Sequence, residues 1–392
     1  MHLTIRIVLE TVTTLATVAS LSFYLLAGFG VLNFLRVRRK NLHANPAGQL
    51  PPISILKPLK GVDPQIWESF CSHCEQQYPE FELIFGVSDL ADPACEVVRK
   101  LQAKYPERAI RLIVCERVLG TNIKVSNLAQ MLPEARYEIV LVNDSDIRVA
   151  PNYLQQVVVP LADEKIGLVT CFYRGVAGPT LGSRLESLGI STDFVLGVLS
   201  ARFLENGLHF GLGSTLVFRR RDLAAIGGFE AFLDYLGDDY ELGRRIAATG
   251  KRVELSAATV ATFLPPYTLR QFWQHQLRWS RTIRDARRWG YSGLVLTFGI
   301  PWALACLIAA RGATWAWALL ALTLCARLLV GLGTAATVLQ EHPSLGNISL
   351  LPLRDLIAPF VWVAGLVGNR IHWRGDDFYL KDGRLRPIPS KH

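Results

Sequence analysis

Residues 11–35 run for 25 positions without a charge, longer than the ~20 apolar residues that span a bilayer core as a helix. The cluster Arg36-Val37-Arg38-Arg39-Lys40 follows, where a cleaved leader would carry its cleavage site. The segment therefore reads as an anchor, residues 1–40, with its basic end in the cytosol and its N-terminus outside. Two further long apolar stretches occupy 292–310 and 313–339, and a third, 349–368, is interrupted by Pro352, Arg354, Asp355 and Pro359. The tail carries Arg370, Arg374, Lys381, Arg384, Arg386 and Lys391, which places it in the cytosol and requires an even number of C-terminal crossings. The interrupted stretch is then expected to be re-entrant or interfacial, which irregular backbone permits where protein or a cavity surrounds it.

Between the apolar ends the pattern changes. Ile53–Leu56, Leu83–Val87, Ile110–Cys115, Ile139–Asn143 and Leu168–Phe172 are short apolar, β-branched runs. They alternate with helical stretches at Pro64–Gln77, Pro93–Tyr105 and Ser126–Leu132. This alternation predicts an α/β domain, residues 41–267, with a mostly parallel sheet and helices on both faces. Ligands of such sheets bind beyond the carboxyl ends of the strands. Next comes a helical pattern, 268–290, with Phe272, Gln276, Trp279, Ile283 and Ala286 on one stripe and Arg278, Arg281, Arg284 and Arg288 on another. A basic amphipathic helix with Trp at its margins suits the membrane interface. Residues 291–370 form the C-terminal membrane part and 371–392 the basic cytosolic tail.

Composition narrows the class. Half of the 392 residues are hydrophobic, and 42 Lys and Arg stand against 33 Asp and Glu, for a net charge of +9. The excess charge clusters beside apolar segments, which points to a membrane surface and away from nucleic acid. The seven cysteines include the pair in Cys71-Ser72-His73-Cys74 without a second such pair, so they read as reduced and structural rather than as a zinc site.

Carboxylates gather where the strands end. Asp89 follows the run ending at Val87, and Asp144-Ser145-Asp146 follows Ile139–Asn143. In extended backbone, residues i and i+2 point the same way, so two carboxylates converge on one spot, and their repulsion is costly unless a cation sits between them. Hard oxygen ligands suit Mg²⁺ or Mn²⁺, with phosphates completing the shell. A solvated turn would use the same residue types. A third cluster, Gly237-Asp238-Asp239-Tyr240-Glu241, opens a helix and reads either as a capped N-terminus or as part of the site.

With these motifs in order, the chain resembles the inverting glycosyltransferases of GT-A fold, most closely the ceramide glucosyltransferase family, glycosyltransferase family 21. Ile55–Pro64 looks like that family's opening strand and loop. Asp89, Asp144 and Asp239 match its three aspartates, Gly120–Asn127 its Gly/Asn/Lys loop, and His275-Gln276-Leu277-Arg278-Trp279 its Gln/Arg-x-x-Arg-Trp motif. The similarity runs from about residue 50 to 290, and the flanking membrane helices agree. Two departures stand out. His275 replaces Gln or Arg, and Asp146 replaces a residue that tends to be small in the eukaryotic enzymes. The second hints at a bacterial relative, and hopanoid-associated glycosyltransferases look similar over the same span.

The resemblance implies a multi-pass enzyme of the inner, cytoplasmic membrane, with its catalytic domain cytosolic. It would move a sugar from UDP-glucose or UDP-N-acetylglucosamine to the hydroxyl of a ceramide-type or hopanoid lipid. Asp89, Lys124, Asp144, His275, Arg278 and Trp279 would bind the donor, Asp144 and Asp146 would hold Mg²⁺ or Mn²⁺, and Asp239 would be the catalytic base. A processive polysaccharide synthase needs more helices around an export channel. A transporter does not need a large cytosolic insert. A non-catalytic binding protein on the same scaffold would be expected to have lost one of Asp144, Asp239 or Arg278.

Overall fold

The computed structural model describes residues 2–42 and 50–388. The part of the expected domain start within 43–49, and Lys391 of the tail, lie outside the described residues. The chain divides into two compact units. One comprises Met1–Arg36, Pro179–Leu204 and Pro266–Asp377, the other Val37–Gly178, Glu205–Pro265 and Phe378–His392.

The second unit is built on eight strands: β1 (Ile53–Pro58), β2 (Phe81–Val87), β3 (Ala109–Val114), β4 (Ile139–Val142), β5 (Ile147–Arg148), β6 (Ile166–Val176), β7 (Leu216–Arg219) and β8 (Arg252–Phe263). Their spatial order is β3-β2-β1-β4-β7-β6-β8-β5. The pairs β1/β2, β1/β4, β2/β3 and β6/β8 are parallel, whereas β4/β7, β6/β7 and β5/β8 are antiparallel. Every residue of β1, β2 and β4 is buried, which is why these strands read as unbroken apolar runs rather than alternating ones. The expected parallel half is present, and β7 converts the sheet into a mixed one by running against β4 and β6.

Near its end the chain returns to this unit as a hairpin in which Phe378 pairs with Pro387 and Lys381 with Arg384. Asp382 and Gly383 both take positive φ at its turn, the backbone that an Asp-Gly pair favours. The hairpin bonds to the segment 234–236 through Leu236 N–H to the Gly383 carbonyl and Leu385 N–H to the Asp234 carbonyl.

The first unit is helical. Among the described residues, four helices are long and apolar enough to cross a membrane: Leu3–Arg39, Leu181–Leu204, Thr314–Thr337 and Leu345–Leu366. Helices Arg288–Thr297 and Gly299–Ala309 form a pair bent by 52°. Residues 179–204, which the sequence pattern leaves inside the 41–267 domain, belong to this unit. Glu186 and Asp193 interrupt the segment's apolar run, which is why the sequence pattern leaves it inside the soluble domain. Yet Leu181–Leu204 cannot pass straight through a bilayer, because β6 before it and β7 after it are neighbours in one sheet.

The sharp break also lies elsewhere than the interrupted C-terminal stretch suggests. Helix Leu351–Leu366 continues through Pro359, and the bend falls at Phe298. The charges that argued against a span at 349–368 are paired. Arg327 donates to both carboxylate oxygens of Asp355 at 2.8 Å and reaches Asp193 at 2.5 Å. Arg354 lies 3.4 Å from Asp193. Ionisable groups in membrane helices persist only when partnered in this way.

Candidate active site

The acidic site forms where β4 ends. Asn143, the first residue past it, is buried; its Oδ1 accepts from His73 Nε2 at 3.1 Å, while its amide nitrogen donates to Tyr153 Oη, the Ser214 carbonyl and Thr215 Oγ1. This buried network fixes the backbone from which Asp144 and Asp146 project. Beneath them lies Lys57, fully buried in β1, donating to the Asp144 carbonyl at 2.9 Å. Burial, opposed by Asp146 and Asp144, lowers the Lys57 ammonium to about 7. From sequence, Lys57 stands out only as part of the opening strand. A lysine inside an otherwise apolar buried strand is itself the signal, since such a group persists only with a partner.

Lys124 stands on helix Ile123–Met131, whose N-cap Asn122 accepts from the Val125 amide. The loop before it is locked in place. Thr121 donates through backbone and hydroxyl to Asp234 at 3.0 Å, and Asn122 donates to the Tyr235 carbonyl at 2.7 Å. A side chain at Gly120 would collide with Leu233, so the Gly-Thr-Asn sequence is required by close approach. From this support the Lys124 ammonium sits 2.8 Å from Asp144 Oδ1 and 3.4 Å from Asp238 Oδ2. Burial works against its charge, but Asp144 and Asp238 outweigh that and raise its pKa.

Asp238 and Asp239 open helix Asp238–Ala248, and the N-cap is Gly237 with no side-chain bond. Asp238 is therefore not the cap. Its carboxylate is committed to Lys124, and burial raises its pKa. Asp239 Oδ1 accepts the Tyr240 amide at 2.8 Å. The helix start is pressed against the loop 210–213: a Cβ on Gly243 would meet the Gly211 nitrogen at 2.2 Å, and one on Gly213 would meet Asp239 Oδ2 at 3.0 Å. Burial first, then the neighbouring Asp238 charge, lifts Asp239 to about 6 against the pull of Lys124. A carboxylate poised there can take a proton near neutral pH.

Asp146 accepts from Thr262 Oγ1 and is raised to about 6, by burial and then by Asp144. Among the described residues no three His, Cys, Asp or Glu side chains gather into a metal cage. Asp144 and Asp146 remain, and two carboxylates suffice for a divalent ion whose other ligands are phosphate oxygens and water. The residues present fit a metal that arrives with a phosphate ligand, not one held by protein alone. Asp89 takes no part in the Lys124 ion pairs. It is exposed beyond β2, and its Oδ1 accepts the Ala91 amide at 2.9 Å.

The other expected residues lie in the helical unit, on helix Leu269–Ala286. Its N-terminus is closed by a reciprocal Thr268–Gln271 capping box. His275 Nδ1 lies 3.0 Å from Glu186 Oε1, and its ring stacks on Tyr267 with centroids 5.5 Å apart. Trp279 packs edge-on against Phe194 at 5.7 Å. Arg278 lines a cavity of about 230 Å³ with Arg281, Arg370, His372 and Asp377. Two arginines of the basic stripe are bonded within this unit. Arg281 donates to the Val367 carbonyl, and Arg284 to the Gly365 and Gly368 carbonyls, so they satisfy carbonyls at and just past the end of helix Leu351–Leu366.

Comparison with known proteins shows the family. The family model Glycosyl transferase family 21 matches residues 14–386. Ceramide glucosyltransferase 1 of Caenorhabditis elegans is 24% identical over 373 residues, covering 90% of this chain and 77% of the relative. Ceramide glucosyltransferase of Candida albicans is 32% identical over 121 residues, 28% of this chain and 22% of the relative. Among solved structures, the mannosyltransferase PcManGT from Pyrobaculum calidifontis, in complex with GDP-Man and Mn²⁺, aligns at 19% identity over 90% of this chain and 97% of its own, with a TM-score of 0.48. The chain belongs to glycosyl transferase family 21, as a glycosyltransferase whose catalytic sheet has the GT-A arrangement expected from the sequence.

Proposed function

We propose that this chain transfers glucose or N-acetylglucosamine from its UDP-sugar to the hydroxyl of a ceramide-type or hopanoid membrane lipid, with inversion at the anomeric carbon. The observation that carries the reading is the poised carboxylate of Asp239 beside the Lys124–Asp144–Asp238 ion pairs. The acceptor oxygen attacks the anomeric carbon as the bond to the diphosphate breaks. UDP leaves with the bonding electrons, and the acceptor proton passes to Asp239. Lys124 supplies positive charge toward the diphosphate, and Asp89 contacts the uridine. Asp144 and Asp146 would hold Mg²⁺ or Mn²⁺, which supplies neutralisation of the leaving group's charge when bound.

The same reading places the protein in the inner membrane with the catalytic unit in the cytosol. Glu205–Pro265 and Phe378–His392 belong to one unit, which supports an even number of crossings in the segment between them. The bent pair 288–309 is the element that turns back, with 314–337 and 345–366 crossing. Mass spectrometry of lipids from cells with and without the gene tests the activity. A new hexosyl-ceramide selects one acceptor, a sugar-bearing hopanoid the other, and unchanged glycolipids refute the proposal.

A further inference from the structure

Glu186 is a carboxylate with 1% of its surface exposed, in the long apolar helix Leu181–Leu204. An ionised group so placed is tolerated only with good partners. Its partners are two adjacent residues of the motif helix. His275 Nδ1 lies 3.0 Å from Oε1, and Gln276 Nε2 donates to Oε2 at 2.8 Å. Gln276 is itself oriented, because Arg354 donates to its Oε1 at 3.0 Å. The His275 ring is held between Tyr267 and Trp279, with both centroid distances 5.5 Å, yet 18% of the His275 side chain remains exposed. A carboxylate can only accept, so the nitrogen facing it carries the proton. In the neutral imidazole, Nε2 is then the acceptor.

We propose that Glu186 is a positioning residue that holds His275 in its Nδ1–H tautomer, so that Nε2 accepts a hydrogen bond from a substrate hydroxyl. This rests on the reading of residues 275–279 as substrate-facing. An arginine there would offer donors alone, whereas this histidine, like a glutamine, offers an acceptor, and Glu186 sets its direction. The hydroxyl belongs to the donor sugar or to the lipid acceptor, and the two have separate kinetic signatures.

The test uses the full chain in lipid nanodiscs with ¹⁵N-labelled histidine, the His275 resonances being those lost in His275→Gln. The expected wild-type spectrum has a protonated Nδ1 and an unprotonated Nε2, and Glu186→Gln converts it to mixed tautomers. KM for UDP-sugar and KM for lipid are measured separately from kcat. Glu186→Gln should raise one of them about tenfold or more, identifying the hydroxyl's owner, and Glu186→Asp should recover part of the loss. A wild-type Nε2–H tautomer overturns the proposal, as does a folded Glu186→Gln with both KM values unchanged. If Glu186→Gln does not fold, the wild-type spectrum and Glu186→Asp decide. If no nucleotide sugar is turned over, the functional reading fails, while the tautomer still decides the role of Glu186.

Discussion

The ammonium of Lys124 lies 2.8 Å from Asp144 Oδ1, so the strand-end carboxylate and the loop lysine form one ion pair, 20 residues apart in the chain. Lys124 also lowers the pKa of Asp239, which burial and Asp238 push up to about 6. Removing the lysine charge should raise Asp239 further. In Lys124→Gln the acidic limb of the kcat–pH profile should therefore move to higher pH, by about one unit. A limb that stays near pH 6 would show that Asp239 is not the group reported by the profile.

Asp239→Asn should lower lipid glycosylation by about 10²–10⁴-fold while UDP-sugar binding persists, because donor contacts rest on other residues. Asp238→Asn tests a different role. Since Gly237 is the N-cap and Asp238 is paired with Lys124, its loss should disturb the lysine rather than fray the helix. UDP release with acceptor present, together with donor affinity by calorimetry, separates the two. An inactive Asp238→Asn beside an active Asp239→Asn would reverse the assignment of the base.

The same carboxylate makes a stability prediction. Its folded pKa of about 6 exceeds the unfolded value near ~4, so the folded state binds the proton more tightly. Between those values stability falls as pH rises, and above about 6 the full cost is present. Asp239→Asn removes that cost and keeps an oxygen for the Tyr240 amide. At pH 7 the inactive variant should unfold later than wild type, by on the order of 1 kcal/mol, and the gain should vanish near pH 4. Thermal unfolding at both pH values checks this.

Much of this arrangement is legible in the sequence, for a physical reason. Ile53–Leu56 and Ile139–Val142 are buried on both sheet faces, so their strands appear as apolar runs and the acids after them mark the ligand edge. Lys57 is less legible: it continues such a run, and its place under Asp144 depends on β1 pairing with β4. The helix Leu181–Leu204 is least legible. Glu186 and Asp193 make it look soluble, and the partners that satisfy them, His275, Arg327 and Arg354, lie far along the chain.

Metal dependence should be visible by depletion. With Asp144 and Asp146 as the protein's share of the ligands, EDTA should abolish transfer and Mn²⁺ or Mg²⁺ should restore it. Asp146→Ala should need more Mn²⁺ to regain part of its activity, and Thr262→Val, which removes the donor to Asp146, should shift the requirement in the same direction but less. Transfer unaffected by EDTA would exclude the assigned role of this pair.

Sidedness distinguishes two arrangements of the C-terminal helices. If 292–310 and 313–339 cross and 349–368 turns back, the short loop at Arg311 faces outside and the loop at His342 faces the cytosol. If instead the 52° bend at Phe298 marks the element that turns back, Arg311 faces the cytosol and His342 faces outside. The second agrees with the preference of arginine for the cytosolic side and with a helix that runs unbroken through Pro359. Single cysteines at positions 311 and 342, in a Cys325→Ser background because Cys325 is the exposed native thiol, can be labelled with a membrane-impermeant maleimide in intact spheroplasts. Position 342 should label from outside and position 311 only after lysis. The opposite pattern would return the re-entrant role to 349–368, and labelling of both from outside would mean that 314–337 does not cross and would refute both arrangements.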